Sequence, residues 1–165
     1  MKTVLSHIVQ KRLSMENKNI ATEALNYIIN ASEPARIGIM KLLNGIVPGL
    51  PALRFQTQQA EKNVLPDMRG LDGNETRVFI ENKFWAGLTN NQPAKYLELL
   101  AEHSQPTVLL VVVPDTWQET IWRELKQRLA AANISHIDQT SSSNIYRVVK
   151  TGTSPFLALT VTAKA

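Results

Sequence analysis

The chain has 165 residues, of which 44% are hydrophobic and 19% charged, enough apolar material for one domain with a real core. Cysteine is absent, which excludes disulfides, thiolate metal sites and a cysteine nucleophile. The net charge of +4 leans mildly toward an anionic partner. No apolar run reaches the roughly 18 residues of a membrane span, so a cytoplasmic chain without a membrane partner is expected.

The opening "MKTVLSHIVQKRLSMENKN" is basic but lacks the continuous apolar stretch of a secretory signal. Within it, Val4, Leu5, Ile8, Val9 and Leu13 fall near one stripe, predicting a short helix over 4–13. A second helix is expected from Asn19 or Ala21 through Asn30. Ser32 before Glu33-Pro34 predicts a third, because serine caps a helix and proline fits its first turn. That helix should stop at Asn44-Gly45, and "GIVPGLPAL" should be a loop.

Past this loop the periodicity changes from helical to alternating. "LRFQTQQ", "VLPDMRG" and "TRVFIENKF" read as three strands, the last two forming a hairpin around "LDGNE". "NQPAKYLELLAEH" reads as a helix with Asn91 as a cap and Pro93 in the first turn. "TVLLVVV" has the pattern of a strand buried on both faces. A helix follows from a Thr116 cap to about Asn133, and then two strand candidates, "IYRVVK" and "FLALTVT". The order predicts an α/β domain of three layers, α/β/α, around a mixed sheet. Residues 1–165 are expected to form one unit: a helical extension over 1–19, a core over 20–133 and C-terminal strands over 134–165.

The chemistry concentrates in "PDMRGLDGNETRVFIENKF", residues 66–84. Alternation puts Phe79, Glu81 and Lys83 on one face, with Val78, Ile80, Asn82 and Phe84 on the other. In an antiparallel pair, opposed residue numbers have a constant sum. Asp67 and Glu81 have their midpoint at Asn74, inside the turn, so that register makes the two carboxylates cross-strand neighbours. Like charges so placed are destabilising. Solvent, a proton, Lys83 or a bound cation must offset the repulsion. An all-oxygen donor set suits Mg²⁺ or Mn²⁺, which take one or two carboxylates and keep several waters. Lys83 beside such an ion could orient water or hold a phosphate. Gln92 and Tyr96, four residues apart, should share a helix face just beyond the motif.

"PD" at 66–67, followed after a turn by "ENK" at 81–83, resembles the PD-(D/E)xK phosphodiesterase superfamily. Restriction endonucleases, Holliday-junction resolvases and RecB-like nucleases belong to it. The resemblance covers roughly residues 20–133 and implies a restriction-endonuclease-like core. Gln92 and Tyr96 resemble the additional Q-x3-Y motif of RecB-like nucleases, where these residues support the metal site and contact DNA. "KFWAGLTNNQP" is similar to nuclease-like bacterial proteins linked to phage defence. The resemblance implies a Mg²⁺-dependent deoxyribonuclease of phage defence or DNA repair, with Mn²⁺ as a substitute ion. It assigns Asp67, Glu81 and Lys83 as catalytic, with Asp67, Glu81 and Glu23 as metal ligands. Many members dimerise, so a homodimer or a larger complex with other chains is an implied partner besides DNA.

Each assignment has a plainer counterpart. Glu23 also suits the first turn of a helix as an acid favoured by the macrodipole. Arg69 is close enough in sequence to approach a phosphate. Trp85 could stack on a base or cover the core. Arg123, Lys126 and Arg128 suit either an anionic partner or a solvated helix face. No phosphate-binding or dinucleotide-binding glycine fingerprint is present. The alternative function is a nuclease-like module without activity that binds nucleic acid or a protein. The motif does not read the sugar, so RNA stands as a third substrate class.

Overall fold

The computed structural model describes residues 17–57, 59–83, 87–89, 92–103, 106–114, 117–132, 147–150 and 156–161. The expected helix over 4–13 lies outside the described residues, as do Phe84, Trp85, Asn91, Thr116 and residues 133–146. The elements are α1 (Asn17–Ala31), α2 (Glu33–Ile46), β1 (Arg54–Thr57), β2 (Met68–Asp72) and β3 (Glu75–Asn82). After them come α3 (Ala94–Ala101), β4 (Val108–Pro114), α4 (Gln118–Ala131), β5 (Arg147–Lys150) and β6 (Phe156–Val161). Among the described residues, no helix is long and apolar enough to cross a membrane.

Ser32 caps α2 as its sequence predicts, its hydroxyl accepting from Ala35 N at 3.4 Å, with Pro34 in the first turn. The stop differs from the expectation. The helix runs through Gly45 to Ile46, because Asn44 performs another task than ending it. Its amide donates to Met40 O at 3.1 Å. Its Oδ1 accepts from Gly49 N and Leu50 N at 3.1 and 3.0 Å, tying the following loop to the helix.

The sheet is mixed, with strand order β1-β2-β3-β4-β6-β5. β1, β2 and β3 form the expected antiparallel meander, and β4 lies parallel to β3 after the α3 crossover. β6 then pairs antiparallel with both β4 and β5. One apolar layer joins Ile29 of α1 and Leu43 of α2 to Phe55, Met68, Val78, Ile80, Val108 and Leu110. The opposite layer joins Tyr96, Leu97 and Leu100 of α3 and Ile121, Leu125 and Leu129 of α4 to Phe79, Leu109, Val111 and Val113. Even-numbered and odd-numbered residues of β3 and β4 therefore serve different layers, the alternation of a strand buried on both faces.

The hairpin register decides where the acids go. Met68↔Ile80, Arg69↔Phe79 and Gly70↔Val78 follow the register whose midpoint is Asn74. Nearer the turn, Leu71↔Thr76 and Asp72↔Glu75 are one residue shorter, closing a tight turn in which Gly73 has φ 59°. Arg77 is the extra residue of the bulge between the two registers. It is 6% exposed and paired to Glu75 at 2.6 Å and Asp72 at 3.5 Å. Gly70 sits at the shift because a Cβ there would meet Leu53, Val78 and Phe55 atoms at 3.0–3.2 Å.

β2 is shorter at its start than expected, beginning at Met68 rather than near Val64. Val64 makes a single bridge to Glu61, and Pro66 has no N–H to give a ladder. The pairing ends there, and a side chain takes over.

Candidate active site

Where the ladder stops, Asp67 Oδ2 accepts the backbone N–H of Asn82 at 2.8 Å. The carboxylate occupies the place a strand carbonyl would take, and it is held beside Glu81 by the register above. Asp67, Glu81 and Lys83 are 6%, 2% and 3% exposed, so the trio is buried rather than a solvated hairpin decoration. Lys83 Nζ lies 3.0 Å from Glu81 Oε1. Lys83 is fixed from behind as well, its own N–H donating to Val112 O at 2.8 Å. Two acids and one lysine thus share the end of β2 and β3. The lysine offsets part of the repulsion that two adjacent carboxylates create.

Gln92 and Tyr96 reach the same point. Gln92 Nε2 donates to the Tyr96 hydroxyl at 2.8 Å, and that hydroxyl faces Glu81 Oε2 at 3.1 Å and Leu65 O at 3.2 Å. A phenol has one proton, so Tyr96 shares it between those two acceptors while accepting from Gln92. The two residues are joined differently from the helix-face expectation. α3 begins at Ala94, and Gln92 precedes it in a turn held by Gln92 N to Thr89 O at 3.0 Å. Gln92 Oε1 also accepts Thr89 N at 3.2 Å. Burial, followed by the Glu81 charge, pushes the Tyr96 hydroxyl well above its ordinary pKa, with Asp67 adding in the same direction. The phenol therefore stays a neutral donor.

Glu23, 2% exposed, lies on the buried side of α1 and accepts from Thr57 Oγ1 at 2.8 Å. Thr57 is the β1 residue opposite Met68, directly after Asp67. Arg69 is drawn elsewhere: its guanidinium pairs with Glu61 at 3.0 Å, a carboxylate that also accepts from Thr76 at 2.5 Å. Trp85 lies outside the described residues.

Three residues near the site were not singled out as site residues from sequence. Asn82, on the reverse face of the E-N-K segment, donates from Nδ2 to Thr22 Oγ1 at 2.8 Å, and both residues are fully buried. The signal was there, as a polar side chain in a row with Val78 and Ile80. Arg128 of α4 donates to the carbonyls of Leu88 at 2.7 Å, Gln92 at 3.2 Å and Thr89, holding the loop that carries Gln92. Sequence alone left it in a basic group whose role stayed open.

The donor chemistry fits a hard divalent ion. Asp67 and Glu81 are the one or two carboxylates that Mg²⁺ takes from a protein. Asn82 Oδ1 is a buried oxygen with no hydrogen-bond partner among the described residues, but it lies on the strand face opposite Glu81 and is no part of that donor set. Among the described residues, no group of three or more His, Cys, Asp or Glu side chains is placed to hold a metal ion. Comparison with family models, curated proteins and solved structures returns no match for this chain.

Proposed function

We propose that the chain is a Mg²⁺-dependent deoxyribonuclease with a restriction-endonuclease-like core. The observation that carries this reading is the buried convergence of Asp67, Glu81, Lys83 and Tyr96 at the end of β2 and β3. Two acids and a lysine are expensive to bury, and stability alone gives little reason to place them together.

Asp67 and Glu81 would hold the ion, which when bound supplies Lewis-acid polarisation of the phosphodiester and a lowered pKa for its water. Asp67 is held for this by the Asn82 N–H, and Glu81 by Tyr96. Lys83, paired to Glu81 at 3.0 Å, would hold a phosphate oxygen or orient the attacking water. Tyr96 remains protonated and holds Glu81 by donation, while Gln92 keeps the phenol in place.

The test is incubation of duplex and single-stranded DNA with the protein in Mg²⁺ and in EDTA. Wild type should cleave only with the ion, and Asp67→Ala and Lys83→Ala should not cleave. Equal cleavage by wild type and both variants refutes the reading. One observation favours the non-catalytic alternative: both Glu81 oxygens already have protein donors. Salt-sensitive DNA binding without Mn²⁺ binding in calorimetry would select that alternative.

A further inference from the structure

Helix α3 starts without a local device to fix it. Its cap residue is Pro93, which makes no side-chain capping bond and has no N–H of its own. The residues leading into it are held from α4 instead. Arg128 Nη2 donates to Leu88 O at 2.7 Å, and Nη1 donates to Gln92 O at 3.2 Å and to Thr89 O. Glu124, one turn earlier on α4, pairs with the same guanidinium at 2.6 Å, and its other oxygen would lie 3.4 Å from a Cβ at Gly87. One planar fork thus takes three carbonyls, a geometry that a lysine ammonium, a point donor, does not match.

The direction of each bond carries this clamp to Glu81. Thr89 N–H donates to Gln92 Oε1 at 3.2 Å, so Nε2 is the end of that amide left to face Tyr96. A hydroxyl that receives Nε2–H turns its single proton elsewhere, to Glu81 Oε2 at 3.1 Å or Leu65 O at 3.2 Å. With the amide reversed, Tyr96 would donate to Gln92, and Glu81 would lose its phenol donor. We infer that Arg128 is a positioning residue for the acid site: by fixing Thr89 it sets the polarity of the Gln92 amide and aims the Tyr96 hydroxyl at Glu81. Its part in a reaction rests on the nuclease reading above; its part in the geometry does not.

The experiment is NMR spectroscopy of the isotope-labelled full chain in EDTA at neutral pH. The tyrosine Cζ resonance senses donation by the hydroxyl, and the Tyr96 signal is assigned by its loss in Tyr96→Phe. Arg128→Gln should move that resonance and speed exchange of the Gln92 Nε2 protons by about tenfold. Exchange at the buried Leu110 and Val111 amides of β4 should stay as in wild type, because the core is untouched. Arg128→Lys keeps the charge without the fork and should fall between the two. Should Arg128→Gln fail to fold, Arg128→Lys decides alone. A folded variant with wild-type Tyr96 and Gln92 signals overturns the inference. Equal acceleration at Leu110 and Val111, the mark of general destabilisation, also overturns it. In the DNA-cleavage assay, Arg128→Gln should lower kcat by about tenfold with KM unchanged, and an unchanged kcat overturns the part in the reaction. A wild type that cleaves no DNA refutes the nuclease reading, and the resonances still decide what Arg128 does.

Discussion

Lys83→Met tests the buried ion pair directly, because methionine keeps the apolar stem and deletes the charge. Lys83 and Glu81 are 3% and 2% exposed in their side chains and 3.0 Å apart, so solvent screens the pair poorly. Removing one partner of such a pair costs about 3–5 kcal/mol, since the other charge is left buried without its counterion. Domains have about 5–15 kcal/mol of stability in total, so the variant should still fold. For a chain of this size each kcal/mol moves Tm by about 2–4 °C, giving a drop of about 6–20 °C. Circular dichroism with heat and with urea, in EDTA, measures it. Adding Glu81→Gln removes the stranded charge and leaves an amide that Tyr96 can still meet. The double variant should therefore recover to within about 1 kcal/mol of wild type, and such coupling marks residues in direct contact. Mn²⁺ at about 100 times its Kd should return about 2.7 kcal/mol to Lys83→Met and much less to the double variant. A loss under about 1 kcal/mol in the single variant would refute the reasoning. So would a double variant no more stable than the single one.

Other predictions concern the residues around that pair. Tyr96→Phe keeps the ring packed on Phe79, at 5.3 Å between centroids, and deletes a bond to a charged acceptor; the expected loss is about 1.5–3 kcal/mol by urea unfolding, and a change under about 0.5 kcal/mol contradicts it. The raised Tyr96 pKa makes the unfolded phenol ionise first, so its stabilisation is complete below its ordinary value of 10.0 and is lost as pH rises beyond it. Ultraviolet titration in EDTA should show Tyr96 ionising later in the folded protein than in denaturant, a difference that Tyr96→Phe removes. Gly70→Ala gains backbone entropy but forces a methyl against Val78 Cβ at 3.1 Å, and a β-branched neighbour has little room to give; overpacking of about 1–3 kcal/mol should prevail over the gain of about 0.5–1 kcal/mol. Arg128→Gln should leave global stability within about 1 kcal/mol, given its partial exposure, while hydrogen exchange at the Thr89 and Gln92 amides accelerates. Unchanged protection at those amides would mean that Arg128 does not hold the loop.

Local chemistry made much of the fold readable. The meander, the doubly buried β4 and the Ser32 cap follow from alternation, apolar runs and a hydroxyl at the right place. So does the split of β3 into a Phe79–Glu81–Lys83 face and a Val78–Ile80 face. The start of β2 was misplaced because Pro66 cannot donate, and the place of the ladder is taken by the Asp67 side chain, a substitution no periodicity displays. The end of α2 was misplaced because Asn44 caps a loop rather than its helix. The Gln92–Tyr96 pair was found by a spacing that assumed a helix, whereas Gln92 stands in the turn before α3.

The sequence by itself determined which face of its strand each of Phe79, Glu81 and Asn82 takes, because a period of two is a property of the chain. Only the tertiary structure decided that the acids meet. The tight turn closes a register one residue too short, and the Arg77 bulge restores the register that brings Asp67 to Glu81. A bulge is set by packing on both sides of the sheet, here by the close approach of Gly70 to Leu53, Phe55 and Val78. The tethers of Glu23 to Thr57, Thr22 to Asn82 and Arg128 to the Gln92 loop are likewise long-range. They join segments 34, 60 and 36 residues apart, and no local rule connects residues across such distances until the core has brought them together.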